Sequence, residues 1–300
     1  MAIFTNTEDA SGILPDDYGT LIVRPVEKAS DAFGVSTLHT TAAHAYQIPV
    51  VTDDGGAGWF GEGDDMSTAD GTFTEVTVTP AKVGGVREIS RELRDDSSPD
   101  AQEEVGRMVA RAIASEVDRA FFAPYVPATA PAVNPAPKGL EEVEGVTEVD
   151  AGTTWSNVDW AADAISMAEI EGAELTAFVT SPTDFRALLK LKREDGSNEP
   201  LLGHDATAPT VRTVHGVPVI ANKHVTPGTL WGIPREFVHT VMREDVTIET
   251  SEHAKFANDI VLVKALMRVG FAFSHPAAIV KVTLSDAETE TEDGTEGTEA

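Results

Sequence analysis

The chain has 300 residues, and its 22 Lys and Arg against 50 Asp and Glu give a formal net charge of −28. This excess of acid argues against proteins that bind nucleic acid through its phosphates and against those that cling to anionic lipid. Cysteine is absent, which excludes disulfides, thiolate metal sites and cysteine nucleophiles. Hydrophobic residues make up 41 % of the chain, enough for one large domain or two ordinary ones.

The sequence shows no targeting or membrane-spanning signal. The first ten residues have neither a basic region nor an apolar run, so we expect no signal peptide. No apolar stretch reaches the length that a membrane helix needs. These observations predict a soluble protein that is made inside the cell.

Residues 1–36 are polar with scattered apolar side chains, and Pro15 and Gly19 interrupt any helix. Such a segment has no core of its own. We therefore expect either a loose terminus or an arm that lies on another surface.

A long hairpin is predicted next. Residues 46–51 read as a strand, and residues 73–83 alternate between apolar and polar side chains as a half-buried strand does. The segment from Thr52 to Glu75 between them is rich in glycine and carries seven acids and no base. Because an isolated hairpin is marginal in water, we expect a partner surface to support it.

The strongest helix signal starts at Ser97-Ser98-Pro99-Asp100, where Ser98 can cap, Pro99 suits the first position and Asp100 faces the positive end of the dipole. Apolar residues then recur every three or four positions as far as Phe121. This pattern predicts about 23 helical residues, roughly 35 Å long. Pro124 and Pro127 end the helix, and the proline-rich segment 124–137 reads as an extended link.

The remaining chain alternates helices and strands. The predicted helices cover residues 157–171 and 181–192, and residues 193–209 form a polar loop. The predicted strands cover residues 177–180, 211–214, 217–220, 237–242, 246–249, 260–270 and 278–284. The tail from Ser285 to Ala300 has seven acids, no base and few apolar residues, so we expect it to be disordered.

The sequence offers only weak candidates for a catalytic, cofactor or metal site. Residues 56–61 match the glycine pattern of dinucleotide-binding loops, but acids follow them instead of the helix that would hold the phosphates. The acid pairs Asp53-Asp54 and Asp64-Asp65 lack the spacing of a calcium loop, and the eight histidines are dispersed. We therefore predict no enzyme activity, no cofactor and no metal.

Read in order, several segments resemble the major capsid proteins of tailed bacteriophages with the Hong Kong 97-type fold, in particular those of actinobacterial phages. No single segment is specific, but their order over some 270 residues is. They are Ile13-Leu14-Pro15, Tyr18-Gly19, Ile22-Val23-Arg24-Pro25, Ile48-Pro49-Val50, Gly58-Trp59-Phe60-Gly61, residues 76–83 and 89–93, Asp95-Asp96-Ser97-Ser98-Pro99, Ala114-Ser115-Glu116-Val117-Asp118, residues 214–219, Phe256-Ala257-Asn258-Asp259, residues 268–272 and residues 275–278.

The resemblance implies an α+β fold divided along the chain. Residues 1–35 would be the N-terminal arm, 36–84 an extended hairpin loop with flanking strands, and 85–150 a peripheral domain with a long spine helix. Residues 151–233 would be the axial domain, 234–284 the closing strands of the peripheral domain, and 285–300 a disordered acidic tail.

The resemblance also implies a function. Copies of the chain would form hexamers and pentamers that tile an icosahedral shell around double-stranded DNA, without sequence-specific DNA binding and without a membrane. Scaffold and portal proteins, and cement or decoration proteins, would be partners, and assembly would take place in the cytoplasm of the bacterial host. The arm and hairpin residues expected to contact neighbouring subunits are Ile13, Leu14, Tyr18, Trp59, Phe60 and Phe73.

Two departures qualify the resemblance. Some family members join a hairpin lysine covalently to an asparagine, but this chain has no lysine between Thr52 and Ala81, so we expect a non-covalent shell. Some members begin with a long helical scaffolding segment. None is seen before Ile13, which implies a separate scaffold or a processed terminus.

Two alternatives stay open on the sequence alone. The first is an encapsulin-like shell that encloses a cargo enzyme, which would need an inner pocket for a cargo peptide. The second, of another class, is an acidic soluble enzyme whose site is assembled from dispersed residues.

Overall fold

The computed structural model describes residues 30–53, 59–61, 71–90, 99–124, 135–194, 199, 201–202, 212–255 and 258–285. Within these residues the helices are α1 (Asp31–Val35), α2 (Pro99–Phe122), α3 (Asp159–Ile170) and α4 (Pro182–Lys190). The strands are β1 (Thr37–Thr41), β2 (Tyr46–Asp53), β3 (Thr72–Val78), β4 (Ala81–Ser90), β5 (Thr147–Asp150), β6 (Ala177–Thr180), β7 (Thr213–Val214), β8 (Val217–Ala221), β9 (Thr229–Ile233), β10 (Val238–Lys255), β11 (Ile260–Phe273) and β12 (Val280–Thr283).

The long helix α2 packs on one face of a four-stranded sheet whose order is β1-β10-β11-β4. The predicted apolar stripe is the buried side of the helix, with Val109, Ile113 and Val117 almost fully enclosed. Phe121 meets Phe271 of β11 edge to face, with ring centroids 4.9 Å apart. The predicted helix is therefore confirmed, although Ser98, its predicted cap, lies outside the described residues.

A six-stranded sheet in the order β5-β12-β9-β6-β8-β7 holds a second core with α3 and α4. Helix α4 begins where predicted, and Ser181 caps it, because its Oγ accepts a hydrogen bond of 3.2 Å from the amide of Asp184. The turn between β7 and β8 is also where the sequence places it, and His215 and Gly216 have positive φ angles of 49° and 86°. This sheet includes strands β5 and β12, which lie outside residues 151–233.

Strands β2 and β3 form a separate antiparallel two-stranded sheet, which is the predicted hairpin. The prediction of one continuous strand over residues 73–83 is wrong, because Thr79 and Pro80 divide it into two strands. The chain leaves the hairpin after Val78 and enters the four-stranded sheet as β4 from Ala81. Pro80 lies between the two strands, and proline cannot donate to a ladder.

Other boundaries also differ from the sequence predictions. The two strands expected over residues 237–242 and 246–249 are one strand, β10, with an irregularity between Arg243 and Thr247. The end of the expected arm is part of the core, since Ala32, Phe33 and Val35 of α1 are buried. Strands β5 and β9 were not predicted. Residues 286–300 of the tail lie outside the described residues, as do most of the proline-rich link and the polar loop.

Candidate inter-subunit surface

The hairpin β2–β3 is packed at its root and exposed further out. At the root, Ile48 and Val78 are buried against Val241 of β10 and Ala272 of β11. Gly270 makes this close approach possible, because a Cβ at that position would lie only 2.6 Å from Val78 Cγ1. The hairpin is thus fixed at one end to the four-stranded sheet.

Beyond the root, the hairpin presents large apolar side chains to the solvent. Val51 and Phe73 are paired across the two strands, and they are 51 % and 73 % exposed. Trp59 is fully exposed and Phe60 is 41 % exposed. Exposed apolar and aromatic side chains of this kind are typical of an interaction site.

The structure locates only part of the predicted contact set. Trp59, Phe60 and Phe73 are exposed on the hairpin and its connection. Ile13, Leu14 and Tyr18 lie outside the described residues. The assignment of all six as subunit contacts stays a prediction.

A chain of hydrogen bonds links the root of the hairpin to the sheet. Ser274 Oγ donates to the Phe237 carbonyl at 3.2 Å, and with its proton so used it accepts from His239 Nε2 at 3.1 Å. His239 Nδ1 is then the acceptor for His39 Nε2 at 3.1 Å. The His39 ring stacks on Tyr46, the first residue of β2, with centroids 5.3 Å apart.

In this arrangement His239 is neutral, because protonation would place a second N–H, on Nδ1, opposite the N–H of His39. Burial lowers the pKa of His239, and the neighbouring His39 acts in the same direction. Neutral His239 therefore accepts the hydrogen bond from His39 of β1, whose ring stacks on Tyr46 at the start of the hairpin.

A second polar cluster fastens α1 to the rest of the fold through the buried carboxylate of Asp118 on α2. Asp118 accepts hydrogen bonds from Ser30 Oγ at 2.6 Å, from the amide of Ala32 at 3.1 Å and from Asn222 Nδ2 at 3.0 Å. The amide of Asp31 also points to it, at 3.3 Å. One carboxylate thus joins α1, α2 and the loop after β8, where the segment that was expected to be an arm enters the core.

Asp31 lies beside this cluster, where Asn222 Nδ2 also donates to it at 2.8 Å. Burial raises the pKa of Asp31; the hydrogen bond from Asn222 acts to lower it, and the charge of Asp118 to raise it. No local pattern in the sequence indicates either polar cluster, because single hydrogen bonds in them join residues as far as 200 positions apart. Only the segment that contains Asp118 was singled out, and only by its resemblance.

Within the described part of the chain, no three His, Asp or Glu side chains come close enough to hold a metal ion. No described helix combines the length and apolarity needed to cross a bilayer. The features that distinguish this molecule are thus a projecting hairpin and an α1 segment fastened to the core.

Comparison with known proteins identifies this arrangement. The model of the phage capsid family matches residues 11–284. The chain is 22 % identical over 306 residues to the major capsid protein of Staphylococcus phage 80alpha, and the match covers 96 % of this chain and 90 % of that protein.

Solved structures give the same result for the fold. The capsid of an empty GTA particle is similar with a TM-score of 0.70 and 18 % identity, over 86 % of this chain and 90 % of that one. A chain from Microbacterium phage Oxtober96 is similar with a TM-score of 0.66 and 19 % identity, over 85 % of this chain and 91 % of that one.

The α+β fold is therefore that of the Hong Kong 97-type shell proteins, and the family match makes the molecule a structural protein of phage capsids. The chain belongs to the phage capsid family, and its function is that of a phage major capsid protein. The family and its relatives do not favour the encapsulin-like alternative, and they favour a structural protein over the acidic enzyme. Proteins of this kind assemble from copies of one chain into the capsid of a virion.

Proposed function

We propose that copies of this chain form hexamers and pentamers that tile an icosahedral shell around double-stranded DNA, and that each hairpin laps onto a neighbouring subunit. The observation that carries this proposal is the outer hairpin, whose paired Val51 and Phe73 are exposed in the single chain. Covering the apolar area exposed there would stabilise the contact by roughly 25 cal/mol for each Å² that a neighbour buries. In the same arrangement, residues 151–233 meet at the axis of each capsomer, and Ile13, Leu14 and Tyr18 contact a further subunit.

The shell is held together without covalent links between hairpins. The first base after Thr52 is Lys82, which lies on β4, outside the hairpin. A crosslink formed by a hairpin lysine is therefore not available to this chain. Stability comes instead from the area of the interfaces, and the chain itself catalyses no reaction.

Other proteins complete the particle. Scaffold and portal proteins direct assembly in the cytoplasm of the bacterial host, and cement or decoration proteins reinforce the finished shell. The DNA inside is not bound through its sequence. The net charge of −28 suits an inner shell surface along which DNA moves without adhering. Phosphates are attracted by a surplus of Lys and Arg, and acids repel them.

Electron microscopy combined with light scattering after size exclusion tests this proposal. The chain is expressed alone and together with a phage scaffold protein. We expect rings or closed shells of megadalton mass in at least one of the two preparations. A chain that stays a monomer or dimer in both contradicts the proposal.

A further inference from the structure

His39 and His239 face each other through their ring nitrogens beside the root of the hairpin. His39 lies on β1 and His239 on the neighbouring strand β10, and His39 Nε2 is 3.1 Å from His239 Nδ1. No metal is expected from the sequence, because its histidines are dispersed, but the fold brings these two together from positions 200 residues apart. Two imidazole nitrogens are therefore presented to one place between the two strands.

The separation of these two nitrogens suits a bound transition metal. Two imidazole nitrogens that each lie about 2.0–2.1 Å from a tetrahedral zinc ion are about 3.3 Å from one another. The observed 3.1 Å has to widen by only about 0.2 Å, which is within the tolerance expected of a metal site. A small rotation of either ring supplies this change, so the ladder that joins β1 to β10 can stay as it is.

The outer nitrogen of each ring has an oxygen partner, as metal-binding histidines usually do. His239 Nε2 donates to Ser274 Oγ at 3.1 Å, and that hydroxyl is fixed by its own hydrogen bond of 3.2 Å to the Phe237 carbonyl. His39 Nδ1 is 3.5 Å from Tyr46 Oη, which can accept the N–H of His39 when the proton moves from Nε2 to Nδ1. Both inner nitrogens then offer lone pairs, and a cation between them takes the place of the proton that joins the rings in the metal-free chain.

Water completes the coordination shell of such an ion. Within the part of the chain that the structure describes, no third His, Asp or Glu side chain joins the pair. His39 and Tyr46 are only partly buried, so an ion and its water molecules reach the pair from their side. Two protein ligands hold a metal less tightly than the four of a structural zinc site, and occupancy therefore follows the concentration of the metal.

We propose that His39 and His239 form a two-histidine site for a divalent transition metal such as Zn²⁺. Imidazole nitrogen suits Zn²⁺, Cu²⁺ and Ni²⁺, whereas Mg²⁺ and Ca²⁺ prefer oxygen ligands. The bound metal fastens the edge strand β1 to β10 beside Tyr46, the first residue of the hairpin. The site belongs to the single chain and does not depend on assembly.

Urea denaturation of the unassembled full chain at neutral pH tests the site with Zn²⁺ alone as the probe. A ligand that binds the folded chain and not the unfolded one shifts the unfolding equilibrium by mass action. We expect about 1 mM Zn²⁺ to lower the unfolding equilibrium constant about tenfold or more, relative to the same chain in EDTA. The same concentration of Mg²⁺ should change that constant by less than about twofold, because the site offers nitrogen and not oxygen.

His39→Gln and His239→Gln each remove one ligand, and the effect of Zn²⁺ should then fall below about twofold. Each variant is compared with itself in EDTA, so a change in stability caused by the substitution alone does not enter the result. The matched control is His215→Asn, which removes an exposed histidine from the turn between β7 and β8. Asparagine tolerates the positive φ of 49° there, and this variant should keep the full effect. The acids of the surface, which also attract cations, are the same in all four chains.

Nuclear magnetic resonance of the histidine ring nitrogens locates the ion in the natural chain. Zn²⁺ should shift the signals of His39 Nε2 and His239 Nδ1 and leave those of His215 in place. The inference is overturned if Zn²⁺ does not stabilise the natural chain, or if it stabilises the His39→Gln and His239→Gln chains just as strongly. A chain that binds Zn²⁺ at the pair but forms no shell leaves this inference intact and contradicts only the proposed function.

Discussion

At the scale of single residues, Gly270 decides how closely the hairpin can lie on the sheet. A Cβ added there would meet Val78 Cγ1 at 2.6 Å and Pro80 Cα at 3.3 Å. We therefore expect Gly270→Ala to destabilise the unassembled subunit by about 1–3 kcal/mol, the usual cost of overpacking. Urea denaturation of the subunit measures this change in the free energy of unfolding.

Gly85→Ala is the control for this prediction. Gly85 lies in the neighbouring strand β4, but the nearest atom to an added Cβ is Val109 Cγ1 at 3.8 Å, an ordinary contact distance. Its replacement should leave stability unchanged or raise it slightly, since alanine restricts the unfolded chain. Equal losses in both variants would show that strand glycines matter for another reason than the close approach of Val78.

The carboxylate pair Asp118 and Asp31 supplies a second prediction at this scale. Asp118→Asn should lower the free energy of unfolding by about 3 kcal/mol. The buried carboxylate accepts several hydrogen bonds, and the asparagine side chain would place its own N–H groups against some of the same donors. Asp31→Asn should change the free energy of unfolding at neutral pH by less than about 1 kcal/mol. Burial raises the pKa of Asp31, which means that its negative charge is unfavourable in the fold, and the substitution removes that charge. The unfolding free energies of the two variants give the comparison, and a larger loss for Asp31→Asn would contradict it.

At the scale of elements, His239 makes the packing of β1 and the hairpin root depend on pH. The pKa of His239 is lowered in the folded chain, so the unfolded chain binds more protons once the pH falls below the ordinary value of about 6.5. The contribution of neutral His239 to the free energy of unfolding is therefore fully present above that pH. It is lost as the pH falls from there toward the folded-state pKa.

His239→Gln checks this dependence, because glutamine offers both a donor and an acceptor but does not titrate. The unfolding free energy of the natural chain should fall more steeply between pH 7.5 and pH 5.5 than that of the variant. His224, whose pKa is lowered chiefly by burial, contributes a slope of the same sign to both chains and cancels in the difference. Parallel profiles for the two chains would contradict a role for His239.

The elements also show what the sequence could and could not predict. Helix α2 is found because its apolar residues recur with the period of a helix and Pro124 stands just after its end. Strand β9 is missed because all five of its residues are buried, so its side chains show no alternation between apolar and polar. Helix α1 is missed because five residues are too few to display a period.

At the scale of the whole molecule, the pairings that set the topology join distant segments. Strand β1 lies parallel to β10, and Thr37 is in register with His239. No local pattern encodes such a pair, because register follows from which faces are buried in the finished fold. The hairpin could be predicted from its own residues, whereas the four-stranded sheet emerges only when β1, β10, β11 and β4 come together.

Net charge controls how readily copies of the chain approach one another, and this gives the last prediction. The segment 286–300 holds seven acids and no base, so its removal changes the formal charge from −28 by 7 to −21. Repulsion between copies scales with the product of their charges, so about 56 % of it is left. The fold should be unaffected, because the last described backbone hydrogen bond of the segment before it, from Ser285 to Gly152, is kept.

Light scattering against salt concentration measures the effect on assembly. Salt screens repulsion between exposed charges, so a chain that ends at Ser285 should assemble at a lower salt concentration than the full chain. A full-length chain in which the same seven acids are replaced by Gln or Asn serves as the control and should follow the shortened chain, because it matches that chain in charge and the natural chain in length. If the neutralised chain instead assembles at the same salt concentration as the natural chain, the tail acts through its bulk. Repulsion by its acids is then not what limits assembly.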